Sequence, residues 1–286
     1  MKPYLKLMRV HHYIKNLLIL AALACSGQFF SCDKLAAGLF GLLSFCMMSS
    51  VVYIVNDIRD IEKDKVHPTK CGRPIASGAV SVRNARILAA VLLVGAVLFN
   101  FLTFNVSSTL LMVLYLLLNL AYSFGLKNIP LIDVTILVSG FLIRVLYGAI
   151  ITEITISNWL YMMVIAIAFY FALGKRRNEL KKINSGETRK VLRAYPADFL
   201  DRSMYMCLAL ANVFYALWSM DEKTARMYSN SSLVWTFPIV LLITLRYSMN
   251  IEGDSDGDPV EVLLHDKVLL TLCAVYLTVM FMILYL

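Results

Sequence analysis

Apolar runs of bilayer length alternate with polar stretches along the whole chain. Nine such runs predict helices near residues 14–31, 35–55, 84–104, 107–124, 131–152, 157–174, 203–220, 233–249 and 268–285. Each run is close to the roughly 20 residues that cross the hydrocarbon core of a bilayer. Two connections, 56–83 and 175–202, are long and polar, and a third, 250–267, is acidic. The pattern predicts an all-α polytopic membrane protein with a single domain over residues 1–286.

The composition strengthens this prediction. Of the 286 residues, 59% are hydrophobic and only 16% are charged, whereas soluble domains carry about 25% charged residues. This excludes a secreted disulfide scaffold, a disordered chain and an ordinary cytosolic enzyme. The six cysteines are scattered without Cys-x-x-Cys spacing, which favours packing over disulfides or metal binding. The first apolar run has no convincing cleavage site and is interpreted as a mature helix.

The distribution of charge predicts the orientation in the cell membrane. Of the 27 Lys and Arg residues, 23 fall at the N-terminus, in alternate connections that include the two long loops, or at the adjoining helix ends. The positive-inside rule then places the N-terminus and these loops in the cytoplasm and the C-terminus outside. Fifteen of the 19 Asp and Glu residues share the cytoplasmic side. Charges of both signs on one face indicate a site for a metal ion and phosphate.

The first long loop opens with regularly spaced polar residues. Asn56, Asp60 and Asp64 lie four residues apart, and Asp57 lies seven before Asp64. If the preceding helix continues, these side chains share one face, where carboxylates repel each other unless a cation lies among them. Oxygen ligands of this kind suit Mg²⁺ better than zinc. The alternative is a solvated helix end whose carboxylates pair with Arg59, Lys63 and Lys65.

Pro and Gly residues break the helix further along this loop. Lys65, Lys70 and Arg73 are then presented from irregular backbone, where Arg offers a planar fork to phosphate and Lys a mobile point charge. His67 is interpreted as a structural or hydrogen-bonding residue rather than a base.

The second long loop is strongly basic. This run indicates either contacts to anionic substrate groups or a positively charged anchor beside anionic lipid. The residues alone leave both interpretations open. The basic residues are Lys175, Arg176, Arg177, Lys181, Lys182, Arg189, Lys190 and Arg193, and the nearest acidic pair is Asp198 and Asp201.

Arg144 is the one basic residue away from the ends of the predicted spans, and such a charge usually faces a cavity or a partner. It lies eleven residues after Asp133, on the same helix face but too far away to pair directly. A buried hydrogen-bond network and a substrate contact are equally compatible with Arg144, and a helix-start charge or cap is the plainest role for Asp133. The expected polar neighbours of Arg144 are Asn119, Tyr122, Ser123 and Tyr147.

The third loop carries alternate carboxylates that superficially match a Ca²⁺-binding loop. They are Glu252, Asp254, Asp256 and Asp258. The full twelve-residue pattern of such a loop is missing, so a solvated acidic loop is favoured.

The motif N-D-x-x-D-x-x-x-D, followed by a basic loop containing R-P-I, resembles the UbiA-type superfamily of intramembrane prenyltransferases. The resemblance extends from Lys15 and Asn16 to the last helix. It implies nine helices around a lipid-accessible cavity capped on the cytoplasmic side. It also implies that Asn56, Asp60 and Asp64 hold Mg²⁺ on a diphosphate, and that Asp57, Asp60 and Asp64 serve catalysis.

One departure separates this chain from a typical aromatic prenyltransferase of the family. The second acidic motif expected after the sixth helix is replaced by the basic segment LGKRRNEL at 173–180. The chain is instead similar to the decaprenyl-phosphate phosphoribosyltransferase branch in five segments. These are Lys15–Asn16, HPTK…RPIASG in the first loop, YSFGLKNIPLID at 122–133, ALGKRRNEL at 172–180 and GDPVEVLLHDK at 257–267.

This branch implies Mg²⁺-dependent transfer of a 5-phosphoribosyl group from phosphoribosyl diphosphate (PRPP) to a polyprenyl phosphate in the bilayer, with release of diphosphate. No nucleic acid is expected as a partner, and the oligomeric state is not indicated. The expected substrate-binding residues are Lys15, Asn16, Lys65, Lys70, Arg73, Tyr122, Lys127, Asp133, Arg144, Lys175, Arg176 and Arg177.

Two other functions remain as alternatives. The first is transfer of a polyprenyl group from its diphosphate to an aromatic or other small acceptor, which shares Mg²⁺ and the first motif. The second is a transporter or channel, which is disfavoured because the polar residues cluster at one membrane face instead of along a path across it.

Overall fold

The computed structural model describes residues 2–68, 70–103, 105–181, 190–222, 224, 232–253 and 259–285, and all regular structure in them is helical. The α-helices are α1 Lys2–Met8, α2 Ala21–Ala24, α3 Cys32–Arg59, α4 Ile61–Lys65, α5 Val82–Phe101, α6 Val106–Phe124, α7 Ile132–Ile151, α8 Asn158–Lys181, α9 Ala197–Met220, α10 Phe237–Glu252, α11 Pro259–His265 and α12 Lys267–Tyr285. Short 3₁₀ helices cover Val10–Leu20, Lys70–Gly72, Leu126–Asn128, Lys190–Ala194 and Ser232–Thr236.

Among the described residues, eight helices are long and apolar enough to cross a membrane. They are α3, α5, α6, α7, α8, α9, α12 and the continuous segment Leu233–Glu252 that contains α10. The predicted all-α, multi-pass membrane architecture is therefore confirmed. The first predicted span corresponds to a shorter apolar helix, Val10–Ala24, so the count of nine spans stays a prediction.

Several predicted boundaries were wrong, mostly because helices continue past the last apolar residue. Helix α3 runs to Arg59 instead of ending at residue 55, and α8 runs to Lys181 instead of 174. Helix α9 begins at Ala197 instead of 203, and the first helix ends at Ala24 instead of 31. Arg, Lys and Glu are good helix formers, so a charged residue marks the end of the apolar stretch but not the end of the helix.

The chain divides into two compact units. Unit 1 comprises 1–23, 30–127 and 143–154, and unit 2 comprises 24–29, 128–142 and 155–286. The predicted single domain over 1–286 remains a prediction. Each unit contains its own set of buried polar residues.

The core of unit 1 is built on α3, which packs along α5 and also contacts α6 and the 3₁₀ helix Val10–Leu20. Phe45 and Tyr147 are fully buried there, with ring centroids 5.4 Å apart. A Cβ atom at Gly148 would lie 1.8 Å from the carbonyl oxygen of Ile19. Glycine at this position therefore allows the backbone of α7 to approach the 3₁₀ helix very closely.

The core of unit 2 is built on α8 and α9, which pack along each other. Tyr170, Leu200 and Ile251 are buried in this core, together with Val191 and Tyr195 from the segment after α8. This burial holds the described end of the second long loop against the ends of the helices.

Candidate active site

The polar residues of the first motif lie on one helical face, as their spacing predicts. The backbone N–H of Asp60 donates to the carbonyl of Asn56 at 2.9 Å, and that of Asp64 donates to the carbonyl of Asp60 at 2.8 Å. Helical hydrogen bonding therefore passes from α3 into α4 with only a local distortion at Asp60, where φ is −90° and ψ is 11°. Side chains spaced four residues apart stay on the same side of such a helix.

Asp57 and Asp64 are joined by Arg73. The Nη1 atom of Arg73 donates to Asp64 Oδ2 at 2.7 Å and to Asp57 Oδ1 at 3.2 Å. Asp57 is 3% exposed and Asp64 is 4% exposed. Two carboxylates this deeply buried need a counter-ion, because an unpaired charge in a low-dielectric environment is strongly unfavourable. Arg73, predicted to bind phosphate, supplies that charge here.

Asp60 and Asn56 are engaged by the end of α6 and the segment that follows it. The Nζ atom of Lys127 lies 2.9 Å from Asp60 Oδ2, and the hydroxyl of Ser123 donates to Asn56 Oδ1 at 3.0 Å. Lys127 is thus placed directly beside the predicted metal ligands. Tyr122 is adjacent to Ser123 in the chain and half-buried.

The N-terminal segment closes over the same end of unit 1, which the sequence did not predict. The Nη2 atom of Arg9 donates to Asp57 Oδ1 at 2.7 Å, and its guanidinium carbon lies 4.7 Å from the centre of the Tyr53 ring. Lys6 Nζ donates to the carbonyl of Gly72 at 3.0 Å. In the sequence, both residues counted only as part of the basic N-terminus.

The remaining basic residues of the first loop are less enclosed. Lys65 pairs with Glu62 at 2.8 Å, and both side chains are largely exposed. The backbone N–H of Lys70 donates to His67 Nδ1 at 3.4 Å, which agrees with the hydrogen-bonding role predicted for His67. The predicted phosphate contacts of Lys65 and Lys70 remain predictions.

Arg144 belongs to a buried polar network in unit 1. Its Nε atom donates to Asn16 Oδ1 at 2.8 Å, and its Nη2 atom donates to the hydroxyl of Tyr115 at 3.2 Å. The guanidinium carbon also lies 5.1 Å from the centres of the Phe45 and Tyr115 rings. Lys15 precedes Asn16 on the 3₁₀ helix and is half-buried.

The predicted neighbours of Arg144 have other described contacts. The Tyr147 hydroxyl donates to Asn100 Oδ1 at 2.8 Å, and Asn119 Nδ2 donates to the carbonyl of Tyr115 at 2.8 Å. The Ser123 hydroxyl donates to Asn56 Oδ1. Of the two roles left open for Arg144, the described contacts show a buried hydrogen-bond network, whose members come from helices that sequence spacing does not relate. A substrate contact of Arg144 remains a prediction.

Asp133 forms a second buried network, in unit 2. Its Oδ2 atom accepts from Arg176 Nε at 2.6 Å, and its Oδ1 atom accepts from the Tyr195 hydroxyl at 2.6 Å. The same hydroxyl accepts from the backbone N–H of Leu131 at 2.6 Å, and Leu131 has φ +66°. Asp133 and Arg176 are both 0% exposed. This network fixes the start of α7 against the end of α8 and the segment beyond it.

The basic run at 175–177 lies on α8 and not in a loop, which corrects its predicted position. Arg176 also pairs with Glu179 at 2.8 Å, so it has two carboxylate partners. Arg177 Nε donates to Asp201, while Arg177 Nη1 is buried with no hydrogen-bond partner among the described residues. Lys175 is half-buried. Substrate roles for Lys175, Arg176 and Arg177 remain predictions.

Some residues of the two other loops fall outside the described part of the chain. They are Lys182, Arg189, Asp254, Asp256 and Asp258, and the side chain of Lys190 is likewise not described. Asp198 begins α9. The described part of the acidic loop includes Asp266, which pairs with Arg246 at 2.6 Å and accepts from the backbone N–H groups of Val268 and Leu269 at the start of α12.

Within the described ranges, no three His, Cys, Asp or Glu side chains come together as a ready metal site. The first motif fits Mg²⁺ in another way. Protein sites for Mg²⁺ commonly use one or two carboxylates and leave the other positions to water and substrate phosphate. Asp60 and Asp64, with the amide oxygen of Asn56, offer this donor set beside basic side chains that suit phosphate.

A model of the UbiA prenyltransferase family matches residues 17–245, which is well over half of the chain. The chain belongs to the UbiA prenyltransferase family. The resemblance seen in the first motif is therefore confirmed, as is the prediction of a membrane transferase of this family.

Relatives of this UbiA family member match over nearly its whole length. The decaprenyl-phosphate phosphoribosyltransferase of Mycolicibacterium smegmatis is 34% identical over 283 residues, covering 93% of this chain and 87% of that protein. The protein of the same name from Corynebacterium glutamicum is 32% identical, covering 93% of this chain and 81% of that protein.

Solved structures show the same fold. A UbiA homolog from Archaeoglobus fulgidus bound to DMAPP and Mg²⁺ has a TM-score of 0.72 and 18% identity, with 98% of both chains covered. The same homolog bound to GPP and Mg²⁺ has a TM-score of 0.71 and 19% identity, with 99% of both chains covered. This likeness confirms the UbiA fold.

Replacing Tyr195 with Phe tests the Asp133 network. The ring remains, but the change leaves the Leu131 N–H and one Asp133 oxygen without their partner, which we expect to destabilise the protein by about 1–3 kcal/mol. Thermal unfolding of the purified protein in detergent measures this. Tyr161→Phe is the control, because the Tyr161 hydroxyl makes no hydrogen bond within the described ranges. Equal stability of the two variants would contradict the prediction.

The same variant has an expected pH dependence. Burial, followed by the hydrogen bond to Asp133, raises the pKa of Tyr195 to about 12. Because the pKa of Tyr195 is raised in the folded state, the stabilisation that its protonated hydroxyl provides is fully present below the ordinary tyrosine pKa of about 10. This stabilisation is lost as the pH rises through about 12. The difference in melting temperature between the wild type and Tyr195→Phe should therefore narrow over this range. A constant difference would contradict the assignment.

Proposed function

We propose that this chain transfers a 5-phosphoribosyl group from PRPP to a polyprenyl phosphate and releases diphosphate. The observation that carries the proposal is the similarity to proteins named decaprenyl-phosphate phosphoribosyltransferase, at 32–34% identity across 93% of the chain. The basic segment Lys175–Arg177, where aromatic prenyltransferases of the family carry acidic residues, supports the same branch.

The charges of the described site support a reaction between two anions. Arg73 and Lys127 each lie against a carboxylate of the first motif at 2.7–2.9 Å. These pairs hold basic groups in place in the absence of substrate and leave their other N–H donors for phosphate oxygens. PRPP and a lipid phosphate together bring more negative charge than a prenyl diphosphate with a neutral acceptor.

Asn56, Asp60 and Asp64 are the residues that would hold Mg²⁺. When bound, the ion neutralises charge on the diphosphate, which makes it a better leaving group. Arg73 and Lys127 hold phosphate oxygens beside these ligands. The acceptor oxygen of a lipid phosphate is already anionic at neutral pH, so no side chain has to act as a base. Catalysis then comes from positioning and electrostatic stabilisation.

We further propose the topology that the charge pattern predicts. Nine spans enclose a lipid-accessible cavity capped at the cytoplasmic face, with the N-terminus inside and the C-terminus outside. The excess of Lys and Arg in alternate connections supports this orientation. In a variant whose six native cysteines are replaced by serine, cysteine labelling of intact cells from outside should modify a cysteine introduced after Tyr285 and not one introduced before Tyr4.

The test of the reaction uses membranes that contain the full-length protein. PRPP labelled in the ribose is supplied with polyprenyl phosphate and Mg²⁺, and label should enter the lipid fraction. A parallel sample receives labelled polyprenyl diphosphate and an aromatic acid, which are the donor and acceptor of the alternative prenyl transfer. Label transferred in the second sample only would overturn the proposal and support prenyl transfer.

A further inference from the structure

Arg9 is held in an unusual backbone conformation beside the first motif. Its φ of 54° and ψ of 48° lie in the left-handed region, which is unfavourable for a residue with a side chain. Surrounding contacts fix this conformation: the His12 N–H donates to the Arg9 carbonyl at 2.8 Å, and the Ser50 hydroxyl donates to the Met8 carbonyl at 2.9 Å. Strain that many contacts maintain is a common feature of functional sites.

Asp57 joins Arg9 to Arg73. Its Oδ1 atom accepts from Arg9 Nη2 at 2.7 Å and from Arg73 Nη1 at 3.2 Å. Two guanidinium groups repel each other unless they share a counter-ion, and Asp57 is that counter-ion. Asp57 lies one residue after Asn56, about 100° around the helix from it, and seven residues before Asp64, so it shares nearly the same side as Asp64 and one guanidinium reaches both.

Charge is balanced in this cluster only while Asp64 takes part in it. Arg9, Asp57, Arg73 and Asp64 alternate in sign and sum to zero. With Asp64 engaged as a metal ligand, two arginines face the single carboxylate of Asp57. The pair then carries a net positive charge beside the place where the proposed function puts the diphosphate.

Both arginines retain donors for a further ligand. A guanidinium has five N–H donors, and within the described residues the Arg9 side chain donates only to Asp57 and the Arg73 side chain only to Asp57 and Asp64. The side chains are 20% and 25% exposed, so a solute can reach them. Fork-shaped donors of this kind match phosphate oxygens well.

We propose that Arg9 is a phosphate-binding residue and that Asp57 is a positioning residue, which holds Arg9 and Arg73 side by side for the diphosphate of the donor substrate. The inference rests on the proposed function only in requiring a diphosphate, which prenyl transfer also releases. It changes the role predicted for Asp57 from catalysis to positioning, and it adds Arg9 to the site.

The test is calorimetric titration of purified full-length protein with inorganic diphosphate in a buffer that contains Mg²⁺, so that Asp64 can be engaged as the proposed metal ligand. Arg9→Gln should weaken binding about tenfold or more, and Arg9→Lys less, because lysine keeps the charge but loses the fork. Arg86→Gln, on the exposed face of α5, is the matched control and should bind as the wild type does.

Asp57→Asn separates positioning from simple electrostatics. Removing a negative charge beside an anion site should by itself tighten binding of diphosphate. If Asp57 positions the arginines, Asp57→Asn weakens binding instead, and the double variant with Arg9→Gln is no weaker than the weaker single variant. Tighter binding by Asp57→Asn overturns the positioning role.

Two further ligands identify the phosphate concerned. Ribose 5-phosphate and farnesyl phosphate represent the other phosphates of the reaction, and Arg9→Gln should change their binding less than twofold. A loss confined to either of them overturns the diphosphate assignment. Unchanged binding of all three by Arg9→Gln and Arg9→Lys, or no binding of diphosphate by the wild type, overturns the proposal. Diphosphate binding that depends on Arg9, without transfer from PRPP, would refute only the proposed reaction.

Discussion

Asp60→Ala is expected to lower transfer from PRPP by about 100-fold or more at ordinary Mg²⁺ concentrations. Removing one preorganised electrostatic group from an active site commonly has an effect of this size. The variant loses a proposed metal ligand and also leaves Lys127 without the carboxylate at 2.9 Å that positions it. Initial rates in membranes containing equal amounts of protein, measured over a range of Mg²⁺ concentrations, give the result.

The control for this variant lies two residues away. Glu62→Gln removes a carboxylate that is 84% exposed and that, among the described residues, pairs only with Lys65, also well exposed. Surface pairs of this kind contribute little, so the variant should keep the wild-type rate. Full activity of Asp60→Ala, or equal losses in both variants, would show that the first motif does not act as proposed.

Gly148→Ala is expected to lower the stability of the protein strongly. The new Cβ atom would lie 1.8 Å from the Ile19 carbonyl oxygen and 2.6 Å from its carbon, and backbone atoms cannot rotate away as a side chain can. Helix α7 must then move off the 3₁₀ helix, at a cost of about 3 kcal/mol or more. The bond from Arg144 to Asn16, which links the same two elements, should weaken with it.

Thermal unfolding in detergent measures this loss, with Gly72→Ala as the control. A Cβ atom at Gly72 meets nothing within 4 Å, so that variant should melt with the wild type. Matching melting temperatures for Gly148→Ala and Gly72→Ala would mean that α7 and the 3₁₀ helix are not packed this closely.

The sequence was sufficient to predict the face of the first motif. A four-residue spacing that follows an apolar run has one simple helical solution, and the hydrogen bonds from Asn56 through Asp60 to Asp64 confirm it. The apolar runs likewise predicted eight of the spans, because bilayer thickness sets a length that few other structures require. Their ends were less predictable, since charged residues at the surface remain helical.

Partners that are distant in sequence could not be predicted. Arg9 is 48 residues from Asp57, and Tyr195 is 62 residues from Asp133. No periodicity connects such pairs, and only the packing of helices brings them together. Arg176 illustrates a related limit, because a basic run at a membrane surface gives no sign that its middle member is fully buried between two carboxylates.

The winding of the segment Val10–Ala24 affects how far this segment extends, although it has fewer residues than the eight longer helices. Val10–Leu20 is a 3₁₀ helix, which rises about 2.0 Å per residue, against about 1.5 Å for an α-helix. Together with the four residues of α2, the segment Val10–Ala24 extends about 28 Å, where a uniform α-helix of the same residues would extend about 22 Å. The stretched winding therefore lets fifteen residues reach nearly across a hydrocarbon layer about 30 Å thick.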